Sequence, residues 1–343
     1  MTNLNLRAIC IAQGAPVSSA TLGLIQNPSA GQANATGGGN PNIQPEKATT
    51  WTVGAVFQPR GFLNNFTMTV DYYNIVVDDA ITSAAPADVI AACFGNITAA
   101  SASSPACTSI RRNQGNGRLS GTPTAANPIP GLPVPLTNNG RLETDGIDLT
   151  ANFRTDLPFA DAGLNLSFSG NYTFNSAFQA SPSSFNRECT GLFSVNCGYL
   201  GSLQPKFSWN QRTTLRFGDT DVSLLWRHID GFEYEGQEDD FAARGFSATS
   251  RNLFSGPITG KGTLVGRNVN FNRIPAYDYF DLSTRFSVTD NFDLTFTVTN
   301  LLDKQPPIVG SSAGSTAYNG GNTFPSTYDV VGRRFATSVR LKF

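Results

Sequence analysis

The 343-residue chain contains no run of 18 apolar residues, so no transmembrane helix is expected. Charge is scarce. Asp, Glu, Lys and Arg make up 14% of residues, against roughly 25% in soluble domains. A net charge of −1 leaves no basic footprint for nucleic acid. No block of like charges marks a disordered tail. Histidine occurs once, as His228, and there is no C-x-x-C pair, so no metal cluster is expected. The chain lacks G-x-S-x-G, P-loop, H-E-x-x-H and dinucleotide motifs, so neither catalysis nor a cofactor is expected. The opening stretch MTNLNLRAICIAQGAPV has Arg7 but no following apolar run of seven or more. A secreted or outer-membrane protein needs such a signal, so Met1 is expected to be an internal start or a fragment boundary.

Apolar residues reach 40%, too few for a large dry core, and Gly (33), Asn, Ser and Thr fill the remainder. That mixture suits short strands joined by polar loops. Cys93 and Cys107 bracket one Ser-, Asn- and Gly-rich stretch, and Cys189 and Cys197 bracket another. Pairing nearest neighbours gives two local disulfides, as an oxidising compartment permits; reduced loop cysteines are the alternative. Cys10 is left over, and a lost upstream partner would explain it.

The strongest pattern is period-two alternation, the mark of a strand with two unlike faces. Phe335, Thr337, Val339, Leu341 and Phe343 share one face of the terminal segment, and Arg334, Ala336, Ser338, Arg340 and Lys342 share the other. The same alternation recurs from Trp51 onward. It predicts nine strands, roughly 48–58, 65–78, 140–156, 162–178, 206–218, 220–232, 276–288, 291–300 and 329–343. Most reach the ~9–11 residues that a tilted strand needs to cross a bilayer. Mid-strand charges such as Asp71, Asp148, Arg154, Arg212, Arg216, Arg227, Asp281 and Arg285 fall in the polar phase. Lipid on the apolar face would demand this, since a charge there costs roughly 2–4 kcal/mol.

A soluble sandwich would alternate too. The connections separate the two architectures. Short ones at 59–64, 157–161, 219 and 289–290 alternate with long ones at 79–139, 179–205, 233–275 and 301–328. Short turns on one side and long loops on the other is the pattern of an up-and-down outer-membrane β-barrel. Long structureless loops are uncommon inside a compact soluble domain. The expected fold class is therefore all-β, an antiparallel up-and-down transmembrane barrel of about nine strands, open or artificially closed. The polar face is the lumen. Strand-end aromatics (Trp51, Phe57, Phe207, Tyr277, Phe343) suit interfacial girdles, or simply reflect strand preference. His228, on the apolar phase near the loop side, reads as interfacial rather than catalytic.

Among the loops, PADVIAACF (86–94) suits a short helix. The five prolines within 121–136 exclude a regular strand there. EYEGQEDD (233–240) reads as a solvated acidic loop, with a cation site as the alternative.

Several stretches, in order, resemble the TonB-dependent outer-membrane receptors. GGGNPNIQPEKATTWTVGAVFQP (37–59) is similar to a family segment of the form G-N-P-x-L-x-P-E-x-(S/T)-x-x-(Y/W)-x-x-G. FTMTVDYYNIVVDDAI (66–81) resembles the strand that follows. NNGRLETDGIDLTANF (138–153), FTVTNLLDKQPP (296–307) and YDVVGRRFATSVRLKF (328–343) are similar to later family segments, the last to the terminal strand. The resemblance spans about 37 to 343.

It implies the following. A full receptor has an N-terminal plug inside a barrel of about 22 strands. It imports a siderophore, cobalamin or an oligosaccharide, driven by the TonB complex acting on a box near the N-terminus. No plug and no TonB box is recognised in this sequence. Residues 1–47 are then expected to be a mostly irregular extracellular loop remnant. Residues 48–343 are expected to be the C-terminal part of the barrel, reaching TonB only through a missing N-terminal part and not transporting alone. The location is the outer membrane of a Gram-negative bacterium, long loops outside and C-terminus periplasmic. Partners are the bilayer and the barrel assembly machinery, which reads a terminal strand such as Phe335, Val339, Leu341 and Phe343. Loop aromatics Phe232, Tyr234, Phe241, Phe246 and Tyr318 are candidates to stack on a sugar ring or aryl siderophore, or else pack the loops. A small pore and a soluble extracellular β-rich binding protein are the alternative functions.

Overall fold

The computed structural model describes residues 3–26, 33–61, 63–84, 86–121, 129–158, 161–180, 186–194, 197, 201–235, 255–259, 265–309 and 323–342. Nine long strands form one sheet among them. They are β1 (Lys47–Phe57), β2 (Phe66–Thr82), β3 (Thr137–Leu157), β4 (Ala162–Gln179), β5 (Phe207–Phe217), β6 (Thr220–Ile229), β7 (Tyr277–Thr289), β8 (Phe292–Thr299) and β9 (Arg334–Leu341). Spatial order follows chain order from β1 to β9, so each strand lies beside the one before it. From β4 onward each neighbouring pair is antiparallel. β1 and β9 are the two edges, and the sheet is not closed.

All nine expected strands are present, with ends moved by a few residues. The largest shift is at β9, which begins at Arg334 rather than 329. The Asp329 carboxylate accepts the Val331 and Gly332 amides (3.0 and 3.3 Å), and Gly332 sits at φ +82, so a turn occupies the expected first residues.

Burial in the sheet runs opposite to that of a sandwich. Val53 is 64% exposed, Phe174 50%, Phe296 47% and Phe335 76%. Among the described residues of these nine strands, the buried hydrophobics are small alanines (Ala80, Ala162, Ala177) and Tyr279. Two sheets packed face to face would bury every second residue. Here the apolar phase faces outward, as a lipid-facing strand requires.

Contacts divide the chain into two compact units. The first holds residues 1–49, 76–142 and 178–186. Residues 1–47, expected to be mostly irregular, carry two helices, α1 (Leu4–Ala12) and α2 (Val17–Leu22). Asn3 caps α1 by accepting the Leu6 amide at 3.0 Å. The expected helix over 86–94 is α3 (Pro86–Phe94). Cys93 is bonded to Cys107 of the short helix α4 (Pro105–Thr108), with Cα atoms 4.7 Å apart. Ile9, Ile110 and Leu132 pack around that disulfide. Arg112 is held there by neutral groups, its guanidinium donating to Gln13 Oε1 (2.7 Å) and Gly117 O (2.9 Å). Burial pulls its pKa below the usual guanidinium range. Cys10 is a buried free thiol.

The second unit holds residues 50–75, 143–177 and 187–343. Its long connections build a hydrophobic cluster from Phe193, Leu203, Phe232, Ile274, Val309, Phe324 and Tyr328. Those residues come from the β4–β5, β6–β7 and β8–β9 connections. Three alternate connections therefore meet at one end of their strands. The cluster includes a small sheet of Leu192–Phe193, Phe232–Tyr234 and Arg273–Ile274. The Cys189–Cys197 disulfide closes its edge, with Cα atoms 5.4 Å apart.

Candidate functional site

The polar phase of the second unit's strands is a wall of Ser, Thr, Asn, Arg and Asp side chains. Register places them in rows. Arg216, Asp221 and Arg285 lie side by side on β5, β6 and β7. Asp221 pairs with both guanidiniums, at 3.4 and 2.8 Å. Nearer the long connections, Arg227 grips Asp281 with two bonds (2.9 and 3.1 Å) and lies 5.0 Å from the Tyr279 ring centroid. On β4, Asn171 donates to Asp148 at 2.8 Å and to the Tyr73 hydroxyl at 3.1 Å. Bonds between strands at fixed rows hold this wall rigid.

The loop cluster folds over the polar side of the wall. Ile229 and Tyr277 share the phase of Arg227 and Asp281, and both pack against it. The Tyr277 hydroxyl donates to Gln305 O at 2.9 Å. Tyr277 was expected in an outward girdle. It points inward instead, because the loops supply an apolar partner on that side.

Phe232 is also corrected. It is 1% exposed and forms part of the loop core, so its ring is not open to stack on a ligand. Tyr234 is half-buried and lies edge-on to Phe193, with centroids 5.6 Å apart. Burial, aided by Glu235, raises its pKa above the usual phenol value. Phe241, Phe246, Tyr318 and Phe343 lie outside the described residues. The acidic stretch after Phe232 is not uniformly solvated either. Glu233 is exposed, whereas Glu235 is buried, pairs with Arg187 at 3.1 Å and accepts the Ser194 hydroxyl. Among the described residues no group of three or more His, Cys, Asp or Glu side chains is arranged to hold a metal.

The outward phase carries a belt of rings in contact from β1 to β7. Trp51 meets Tyr72 (5.3 Å), and Tyr172 lies between Phe174 (5.2 Å) and Phe207 (6.2 Å). His228 stacks on Trp209 at 5.3 Å, Trp209 meets Trp226 at 4.7 Å, and Trp226 meets Phe280 at 5.5 Å. Two carboxylates sit in this outward phase, and sequence reasoning missed them. Asp278 accepts Trp226 Nε1–H at 2.7 Å and lies 2.8 Å from His228 Nδ1. Asp145 accepts the Tyr72 hydroxyl at 3.2 Å. Aromatic polar tips beside carboxylates suit an interface that is apolar below and wet above. Phe335, Val339 and Leu341 of β9 are 76%, 56% and 56% exposed on the same outward phase.

A family model described as TonB dependent receptor-like, beta-barrel, matches residues 13–301. The chain belongs to the TonB-dependent receptor β-barrel family. Receptor barrels of this family are outer-membrane proteins, and no described helix of this chain is long and apolar enough to cross a membrane. A variant of the ferric enterobactin receptor PfeA from Pseudomonas aeruginosa, solved with enterobactin, is 14% identical; the match covers 90% of this chain and 33% of that one, with a TM-score of 0.49. The FrpB iron transporter from Neisseria meningitidis is 12% identical over 90% of this chain and 33% of its own, with a TM-score of 0.47. The copper transporter OprC is 18% identical over 88% and 32%, with a TM-score of 0.43. The chain thus spans about a third of the length of these receptors. No curated relative matches it in sequence.

The segments that carry the TonB-dependent receptor resemblance do local structural work. Asn138 behaves like a strand partner: its amide accepts the Gln44 N–H at 2.7 Å and donates to Gln44 O at 2.7 Å and Asp79 O at 2.9 Å. Glu46 accepts the Ile81 amide at 2.7 Å, beside Asp79 at φ +55. In NLLDK, Asn300 adopts φ +54, and its side chain bonds both backbone groups of Lys304 (3.0 and 2.8 Å). Asp303 accepts the Arg333 amide at 2.9 Å, which sets the approach to β9.

Proposed function

We propose that this chain forms wall and external loops of a TonB-dependent receptor that takes up a scarce polar nutrient, a siderophore, cobalamin or an oligosaccharide. The observation that carries the reading is the pairing of an outward apolar face with a polar inner wall under inward-folded, disulfide-pinned loops. Lipid suits the first face, and a hydrated ligand path suits the second. The long connections then face outside, where oxidised Cys93–Cys107 and Cys189–Cys197 are stable. The C-terminal end of β9 faces the periplasmic side, and β9, with Phe335, Val339 and Leu341, presents the strand that the assembly machinery reads. TonB coupling supplies the energy for the receptor as a whole.

Two measurements test this. The protein should fractionate with outer membranes, and protease added to intact cells should cut within the long connections while leaving the β5–β6 turn intact. Recovery as a folded soluble protein without detergent would overturn the reading. Deleting the gene should slow growth when iron, cobalamin or a glycan is limiting; normal growth on all three would remove the uptake claim.

A further inference from the structure

The outward phase of the second unit's strands is electrically one-sided. Among the described residues it carries the carboxylates of Glu143, Asp145 and Asp278 and no lysine or arginine. Asp278 stands opposite His228 on β6, and His228 stands opposite Trp209 on β5, so the three form one row across three strands. The next outward row toward the short turns is Trp226 with Phe280, and the one after is Leu224 with Leu282. The Asp278 row therefore lies where the outward face changes from apolar to polar, the level at which a membrane meets water. The Asp278 side chain is 42% exposed there and that of His228 20%.

The hydrogen bonds of this row leave a particular set of groups free. Trp226 Nε1–H donates to Asp278 Oδ1 at 2.7 Å, and His228 Nδ1 lies 2.8 Å from the same oxygen. An ionised carboxylate only accepts, so the imidazole proton sits on Nδ1 and Nε2 keeps a lone pair. Asp278 Oδ2 and His228 Nε2 have no partner among the described residues. Both are acceptors. Asp278 makes no ion pair with lysine or arginine among those residues; the Lys304 ammonium lies over the inward Tyr277 ring instead, 4.9 Å from its centroid. The indoles of Trp209 and Trp226, with centroids 4.7 Å apart, stand beside the two acceptors. One negative charge, two acceptors and electron-rich rings call for a ligand that is positive and carries several N–H donors.

We infer that this row binds the phosphoethanolamine headgroup of a lipid, its primary ammonium on Asp278 Oδ2 and His228 Nε2 beside the Trp226 ring. The inference rests on the proposed function, in which the outward face meets lipid. A primary ammonium brings a full charge and three donors, so it satisfies both acceptors at once. A quaternary ammonium has the charge but no N–H. A phosphate alone would meet a carboxylate and a lone pair, and both repel it. The headgroup's own phosphate ester finds a donor in the Trp209 N–H, which makes no hydrogen bond among the described residues. Phe280, Leu224 and Leu282 continue the outward face toward mid-strand. Acyl chains cover such a surface, and a free amine would not.

The test uses the full chain refolded into vesicles that contain lipids with brominated acyl chains, which quench indole fluorescence on contact. At equal mole fraction, brominated phosphatidylethanolamine should quench more than brominated phosphatidylcholine, equivalent to about fivefold tighter association. Stepwise N-methylation of the ethanolamine lipid should erode that preference, and brominated phosphatidylglycerol should quench least. The double variant Asp278→Asn/His228→Phe keeps Trp209 and Trp226 as reporters and should bring the ethanolamine and choline lipids within about twofold of each other. Asp219→Asn, at the β5–β6 turn, should keep the preference. Equal quenching by the two lipids in the parent chain, or a preference that survives the double variant, would overturn the proposal while leaving the lipid-facing assignment in place. No quenching by any of the lipids would overturn that assignment itself. Loss of the preference on adding about 10 mM free phosphoethanolamine would assign the row to a soluble ligand and overturn the lipid source. The lipid contrast needs no variant, so the proposal stays exposed to failure even if the double variant does not fold.

Discussion

Phe232 and Phe296 are the same residue type in opposite settings. Phe232 is 1% exposed among the loops, while Phe296, in the middle of β8, is 47% exposed. In most proteins the strand would hide its phenylalanine and the loop would show it. The inversion separates two ways of removing an apolar ring from water. The loops of the second unit do it with their own cluster, pinned by Cys189–Cys197. In the proposed function the strands leave it to the bilayer. Loop stability should therefore respond to core packing and redox state, and sheet stability to the polarity of the outward face.

Breaking the loop core should have the largest effect. Phe232→Ala should cost about 3–5 kcal/mol of local stability, seen as faster cleavage of the loops by protease, with the sheet still membrane-inserted. Concurrent loss of insertion would mean that the loops and sheet are not independent in this way. Leu224→Arg, outward at mid-strand, should cost about 2–4 kcal/mol in refolding into vesicles, and Ser169→Arg, inward beside Asp148, much less. Equal costs would refute the assignment of faces. Removing Cys189–Cys197 by double serine replacement should cost about 2–3 kcal/mol for so short a loop and should again act on proteolysis of the loops. Trp226→Phe should cost about 1 kcal/mol, because Asp278 keeps its contact with His228 while losing the indole donor. Indole fluorescence in vesicles with quenchers at graded depth would locate that belt.

Alkaline pH offers a further contrast. Burial raises the Tyr328 pKa well above the usual phenol value, with Tyr279 and Tyr277 adding to the shift. The folded loop cluster then holds this proton more tightly than the unfolded chain. Its contribution is fully present below the ordinary tyrosine pKa of about 10 and is lost as pH rises above it. Protease sensitivity of the loops should increase above that pH, and Tyr328→Phe should remove the dependence.

Much of the sheet was legible because alternation is a local signal. Asp293, Thr295 and Thr297 declare the inner phase of β8 within one segment, and every neighbour follows from chain order. Both disulfides could be read from cysteine spacing in polar loops. The helices of residues 1–47 were missed because they are short and have no long apolar stripe. Tyr277 was placed outward for want of its partners, which are Tyr328 and Gln305 from the connection after β8. Asp278 escaped notice because a carboxylate in the apolar phase makes sense only once Trp226 and His228 stand beside it.

By itself, then, the sequence determined nine strands, their two faces, their order, and the alternation of short turns with long loops. A strand's period and the polarity of its two sides are written in adjacent residues. Tertiary structure alone decided that the loops fold over the polar wall, that Phe232 and Glu235 are buried, and that Asp278 stands beside Trp226 and His228. Those outcomes depend on which distant segments meet, and no local pattern records that meeting.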